Sequence, residues 1–177
     1  LDAIKVDRIL SSVPTRFERG LRCYQGQQWL WDDVRFEILS PHSDDRTHEN
    51  NNSCVLKITA ASGSVLIPGD IERERETWLI AENRHGLKSD VLIVPHHGSK
   101  TSSTASFIDS VQPQIVLFPV GYRNRYRHPH RKVVSRYQRF GSQILMSPQS
   151  GAVEIAFSDR GRTITIYRHQ KRRYWFN

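Results

Sequence analysis

The stretch Asp90-Val91-Leu92-Ile93-Val94-Pro95-His96-His97-Gly98-Ser99 decides the fold. Its apolar run is too short for a helix and shows no polar alternation, the pattern of a strand buried on both faces of a parallel sheet. It ends on two adjacent imidazoles and a glycine. Strand alternation sends His96 and His97 to opposite faces, so that one enters a cleft as metal ligand or proton donor while the other packs or orients a loop. Gly98 would let backbone approach a ligand. Two structural histidines are the competing reading.

Working outward, residues 54–60 and 64–68 are β-rich runs joined by Ala61-Ser62-Gly63, a predicted hairpin. Its second strand ends at Gly69-Asp70, where a carboxylate leaves the sheet edge and can either bind a cation or cap the next helix. Residues 71–84 are predicted helical, with Glu72, Glu74 and Glu76 early, Trp78, Leu79 and Ile80 on a face, and Gly86 as a stop. Downstream come a helix at 103–111, an apolar strand at 115–119, a helix at 130–140, and strands at 143–146, 152–157 and 163–168. Between the 115–119 strand and the 130–140 helix lies Gly121-Tyr122-Arg123-Asn124-Arg125-Tyr126-Arg127-His128-Pro129-His130, read either as a site loop or as a solvated basic loop with incidental histidines. Upstream, residues 34–39 alternate as a strand. The segment before them reads as irregular, and residues 42–53 as a loop too polar for a core.

Strands alternating with helices, with hairpins at both ends, predict an α/β sandwich with a mixed sheet. If three strand ends lie together, Asp70, His96 or His97, and His128 converge on one cleft. No Gly-x-Gly-x-x-Gly follows a strand, so no nucleotide cofactor is expected.

The 177 residues, 37% hydrophobic with four Trp, six Tyr and seven Phe, suffice for one core. No apolar run approaches the ~20 residues of a membrane span, and Leu1 opens no signal segment, so the chain reads as a soluble piece of something longer. The net charge of +8 is uneven: residues 1–121 hold 13 basic against 16 acidic side chains, and residues 122–177 hold 13 against 2. Such a basic half favours polyanions: nucleic acid, phosphorylated polymer or anionic lipid. Cys23 and Cys54 have no metal-site spacing and read as core or near-surface thiols, with a single disulfide left open for an oxidising compartment.

The order Cys23, Gly26, Trp29-Leu30-Trp31, Phe36, Leu39, Pro41, Asn51-Asn52-Ser53, Gly69-Asp70, His96-His97-Gly98-Ser99, Gly121, Asn124, Tyr126 and His128-Pro129 resembles the hydrolase domain of ComEC-type competence proteins over nearly the whole chain. Its most specific parts are the His-His-Gly-Ser and Asn-x-Tyr-x-His-Pro stretches that follow Gly-Asp. The resemblance implies an α/β fold of the metallo-β-lactamase-like αββα type, here mainly its C-terminal half, with residues 1–177 a single partial domain. It further implies attachment to a DNA-importing channel of the bacterial inner membrane, on the periplasmic rather than the cytoplasmic side. The implied activity is metal-dependent nuclease or phosphodiesterase chemistry on incoming DNA, and the implied partners are DNA and the rest of the parent channel.

By the same resemblance Asp70 bridges two divalent ions, zinc or manganese, and His97 and His128 belong to the metal site. His96 and His97 are the catalytic candidates, with ligand and proton donor not yet distinguished. The His-x-His-x-Asp-His cluster that opens such domains is absent from this sequence. It is expected upstream of Leu1, so the chain as it stands is expected to bind metal weakly or not at all and to be catalytically silent. His48 is the histidine nearest Asn51-Asn52, where some relatives place another ligand, and Arg127 stands where glycine is common. Two rivals are a non-catalytic basic module for DNA or anionic membrane, and a small phosphoester hydrolase such as a phosphorylcholine esterase. A polymer substrate calls for a basic track, for which Arg123, Arg125, Arg127, Arg131, Lys132, Arg136 and Arg139 are candidates, with Tyr122, Tyr126 and Tyr137 interleaved for stacking.

Overall fold

The computed structural model describes residues 6–42 and 49–170; His48 lies outside them. The described residues form eleven strands: β1 Ile9–Ser11, β2 Gly20–Arg22, β3 Gln28–Trp31, β4 Val34–Ser40, β5 Val55–Ala60, β6 Gly63–Ile67, β7 Val91–Ile93, β8 Ile115–Phe118, β9 Gln143–Met146, β10 Val153–Ser158 and β11 Gly161–Ile166. The helices are α1 Arg73–Asn83, α2 Ala105–Val111, α3 Arg131–Arg139 and the single turns α4 Ser147–Ser150 and α5 Tyr167–Gln170. Strands β3 to β9 form one seven-stranded sheet in chain order. Pairing is antiparallel from β3 to β6 and parallel from β6 to β9. This is the mixed sheet expected from the sequence.

The parallel half explains the decisive stretch. The pleat sends Leu92 and Val116 to one face, where Leu79 of α1, Phe107, Ile108 and Val111 of α2, and Val133 and Tyr137 of α3 cover them. It sends Val91, Ile115 and Leu145 to the other, where Val153, Ile155 and Phe157 of β10 and Ile164 and Ile166 of β11 pack. Both faces are therefore apolar, and the run needs no polar alternation. Each such side chain contributes roughly 1.5–3 kcal/mol on full burial. Gly63 has no side chain because the Phe157 ring lies where its Cβ would be.

Three expectations are corrected. The segment read as irregular contains β3, hidden because Trp29-Leu30-Trp31 has no alternation. It hairpins into β4 through Asp32 (φ 48°) and Asp33 (φ 62°), the left-handed pair that a two-residue turn of the mirror-image type requires. The polar loop is not excluded from the interior: Asn51 is only 3% exposed, since its amide and carbonyl are all hydrogen-bonded to α1. Cys23 and Cys54 are not separate thiols but a disulfide, with Cα atoms 5.9 Å apart across a sequence separation of 31. Sequence spacing carries no information on this contact, which exists because the chain before β3 passes beside the start of β5.

Candidate functional site

The site grows from the C-terminal ends of the adjacent strands β6, β7 and β8. Asp70 leaves β6 through Gly69, whose φ of +63° and whose approach to Ser53 (a Cβ would lie 2.8 Å from Ser53 Cβ) both require glycine. The Ser53 hydroxyl accepts from the Asp70 backbone N–H at 3.1 Å and donates to the Asn50 carbonyl at 2.7 Å. Asp70 thus starts from a fixed backbone position with its side chain 45% exposed. It does not cap α1, whose N-cap is Glu72.

His96 and His97 are parted by a different device from strand alternation. They lie in the 3-10 turn Pro95–Gly98, both left-handed (φ 48° and 54°), beyond the end of β7. Successive non-glycine residues in this region cost on the order of 1–2 kcal/mol each, a strain typical of functional turns. The turn is held by the His96 N–H on the Gly69 carbonyl (3.0 Å) and by the Ser102 hydroxyl on the Pro95 carbonyl (2.9 Å). Gly98 seals it against the third strand end: a Cβ there would lie 2.8 Å from Phe118 Cε1 and from Pro129 Cβ.

The loop after β8 is organised by Asn124. Its Oδ1 accepts from the His128 N–H at 2.9 Å, and its Nδ2 donates to the carbonyls of His128 (2.7 Å) and Gly121 (3.1 Å). The His128-Pro129 peptide is cis. Arg127 has φ 55°, a left-handed conformation that favours glycine. Tyr126 stacks on the His128 ring at 5.9 Å, and His96 meets that ring edge-on at 6.0 Å. Burial, then the neighbouring His96, His97 and His130, push the His128 pKa below its ordinary value, against an opposing pull from Asp70.

The two histidines of the turn now separate in role. His97 Nδ1 lies 2.7 Å from the Pro119 carbonyl, an acceptor only, so the proton sits on Nδ1 and the Nε2 lone pair is free in the neutral ring. Nε2 is 3.7 Å from Asp70 Oδ1. That is too long for a hydrogen bond and near the ~3.4 Å between two ligand atoms of one tetrahedral cation with ~2.1 Å bonds. Asp70 and His97 therefore fit as two ligands of one ion. His96 Nδ1 lies 3.3 Å from Glu72 Oε1 without the alignment of a hydrogen bond, and this buried nitrogen has no hydrogen-bond partner among the described residues. Among those residues no group of three or more ligating side chains is close enough together to hold a metal.

The proposed basic track divides. Arg123, Arg125, Tyr126, Arg127, Arg131, Lys132 and Arg139 are exposed. Arg123 and Arg125 lie over the rings of Tyr122 and Tyr126 at 5.2 and 4.8 Å. Arg136 is half-buried and donates to the carbonyls of Ser102 and Ser103. Tyr137 is fully buried, bonded to the Ser103 hydroxyl, and unavailable for stacking. Sequence reasoning missed the groups that brace the site: Asn51, Ser53, Thr101, which donates to Glu72, and Glu76, which accepts from the N–H groups of Ser103 and Thr104. Asn51 and Ser53 carried a signal only within the Asn51-Asn52-Ser53 stretch of the resemblance, and Glu72 and Glu76 only as early glutamates of the predicted 71–84 helix, read as dipole compensation.

No family model matches the sequence. Competence protein ComA of Neisseria gonorrhoeae is 32% identical over 170 residues, taking in 94% of this chain and 24% of ComA. ComE operon protein 3 of Bacillus subtilis is 36% identical over 135 residues, 76% of this chain and 17% of that protein. Recombination protein 2 of Haemophilus influenzae matches to the same extent. The chain belongs to the ComEC-type competence family. It spans about a quarter or less of the length of these relatives. Among solved structures, the metallo-β-lactamase fold protein YhfI of Bacillus subtilis is similar over 72% of this chain and 52% of its own (12% identity, TM-score 0.40). Tm1679, a metal-dependent hydrolase of the β-lactamase superfamily, is similar over 72% and 55% (11% identity, TM-score 0.45). The fold class of this ComEC-type chain is α/β, built on the mixed seven-stranded sheet described above.

Proposed function

We propose that this chain is the C-terminal portion of a metallo-β-lactamase-like hydrolase domain in a DNA-uptake channel protein, contributing part of a divalent-metal phosphodiesterase site that acts on incoming DNA. The reading is supported above all by His97, whose Nδ1–H is tied to Pro119 while its free Nε2 stands 3.7 Å from the Asp70 carboxylate. A bound divalent cation supplies Lewis acidity toward water and phosphate. Asp70 and His97 would hold it. With His97 as ligand, His128 is the group that would pass a proton to the leaving oxygen, its lowered pKa making the protonated ring a stronger acid, while the buried His96 nitrogen faces Glu72. The exposed arginines of the Tyr122–Arg127 loop are suited to phosphate oxygens. The Cys23–Cys54 disulfide favours the periplasmic side, since cytosolic thiols are kept reduced.

A second reading, a non-catalytic basic module, is favoured by the absence of a three-ligand group among the described residues. Calorimetric titration with Zn²⁺ or Mn²⁺ and a chelator-controlled nuclease assay separate the two. The chain alone is expected to bind metal weakly and cleave nothing. The parent protein is expected to cleave DNA, and Asp70→Asn in it to lower cleavage by about 100-fold or more, since an amide bridges cations poorly. Wild-type cleavage by that variant would refute the metal-site assignment and leave the module reading standing.

A further inference from the structure

Beside the histidine cluster, between α1, the turn at residues 99–102 and α3, runs an open groove of about 1000 Å³. It communicates with the site through shared walls. Glu72 lines the groove and touches His96, and His130, which also lines it, follows His128-Pro129 and donates its N–H to the Gly98 carbonyl. We propose that this groove seats a single strand of nucleic acid, with its backbone on Lys100 and Lys132 and a base against Trp78. The inference rests on the DNA reading above and names the surface that reading uses.

Three observations carry it. Lys100 and Lys132 are exposed, and neither ammonium holds an ion pair among the described residues. The acids of the groove are partly occupied by its own wall: Glu72 accepts from Thr101 and Asn50, and Glu74 from Asn51. The basic side chains Arg73, Lys100, Lys132 and Arg136 outnumber the carboxylates Glu72 and Glu74 along the groove, so its charge is net positive. Trp78 is half-buried against the core, which fixes the indole, with the Arg75 guanidinium 5.0 Å from its ring centroid and the remainder of its surface lining the groove. A fixed aromatic beside exposed cations is the combination that binds unpaired bases without sequence preference. The Tyr122–Arg127 loop is less prepared, because Tyr122 and Tyr126, 73% and 64% exposed, are not packed against the core as Trp78 is.

The test is fluorescence anisotropy with a labelled single-stranded oligodeoxynucleotide. Lys100→Glu with Lys132→Glu is expected to weaken binding by about 10-fold or more at moderate salt. The charge-matched control Arg160→Glu with Arg162→Glu, on the β10–β11 hairpin, is expected to bind within about 2-fold of wild type, which a bulk charge effect would not allow. Trp78→Ala should lose about 10-fold. Because that variant removes core packing, Trp78→Phe is measured beside it and should recover most of the loss. Groove variants that bind as tightly as wild type, or no tighter or weaker than the hairpin control, overturn the proposal while leaving the DNA reading intact. A wild-type protein that binds no oligonucleotide refutes the DNA reading itself, and the groove assignment with it.

Discussion

Replacing Gly98 by Ala tests whether the turn carrying His96 and His97 is pressed against the loop carrying His128. The new methyl would arrive 2.8 Å from Phe118 Cε1 and from Pro129 Cβ, on a residue with φ +79°. The left-handed conformation costs a non-glycine residue about 1–2 kcal/mol, offset by roughly 0.5–1 kcal/mol because Ala loses less chain entropy on folding. Overpacking against a ring and a proline adds about 1–3 kcal/mol. Gly141→Ala is the internal control: its φ is +76°, and nothing lies within 4 Å of the added carbon. The two variants share the conformational cost and differ only in the contact. Gly98→Ala should therefore be less stable than Gly141→Ala by about 1–3 kcal/mol, or about 3–10 °C in thermal midpoint for a chain of this size. Denaturant unfolding monitored by circular dichroism, with the disulfide intact, measures the difference. Equal stability of the two variants would refute the close approach of the turn to Pro129, and with it the convergence of His97 and His128.

Reducing the disulfide, or Cys23→Ser with Cys54→Ser, should lower unfolding free energy by about 3–4 kcal/mol for a loop spanning a separation of 31, read from denaturant midpoints with and without reductant. His128 has a pKa below its ordinary 6.5, so its neutral form is the one the fold favours. Its contribution to stability is fully present above pH 6.5 and is lost as the pH falls toward the folded value, so metal-free wild type should lose stability between pH 7 and 5 more steeply than His128→Gln. Arg127→Gly relieves a left-handed φ of 55° at an exposed position and should be stability-neutral to about 1 kcal/mol stabilising; a clear loss in thermal midpoint would refute strain at that residue.

The sequence by itself determined the elements whose signal is local. Apolar runs at β7 and β8, the Gly63 turn, the helix of α3 and the hairpin of β10 and β11 were legible because periodicity and turn chemistry act over a few residues. Asp70, His96 and His97 were legible as site candidates for the same reason, each sitting just past an apolar run, and His128 through the polar loop that follows β8. Their partners were not. Which nitrogen of His97 carries the proton depends on the Pro119 carbonyl, 22 residues away, fixing one tautomer. That Asn51 is buried, that Arg136 donates to the carbonyls of Ser102 and Ser103, and that Cys23 reaches Cys54 are likewise contacts between segments far apart in the chain. A buried polar group is stable only where distant segments supply its hydrogen bonds, so its role is decided by tertiary structure and leaves no periodic trace in the sequence.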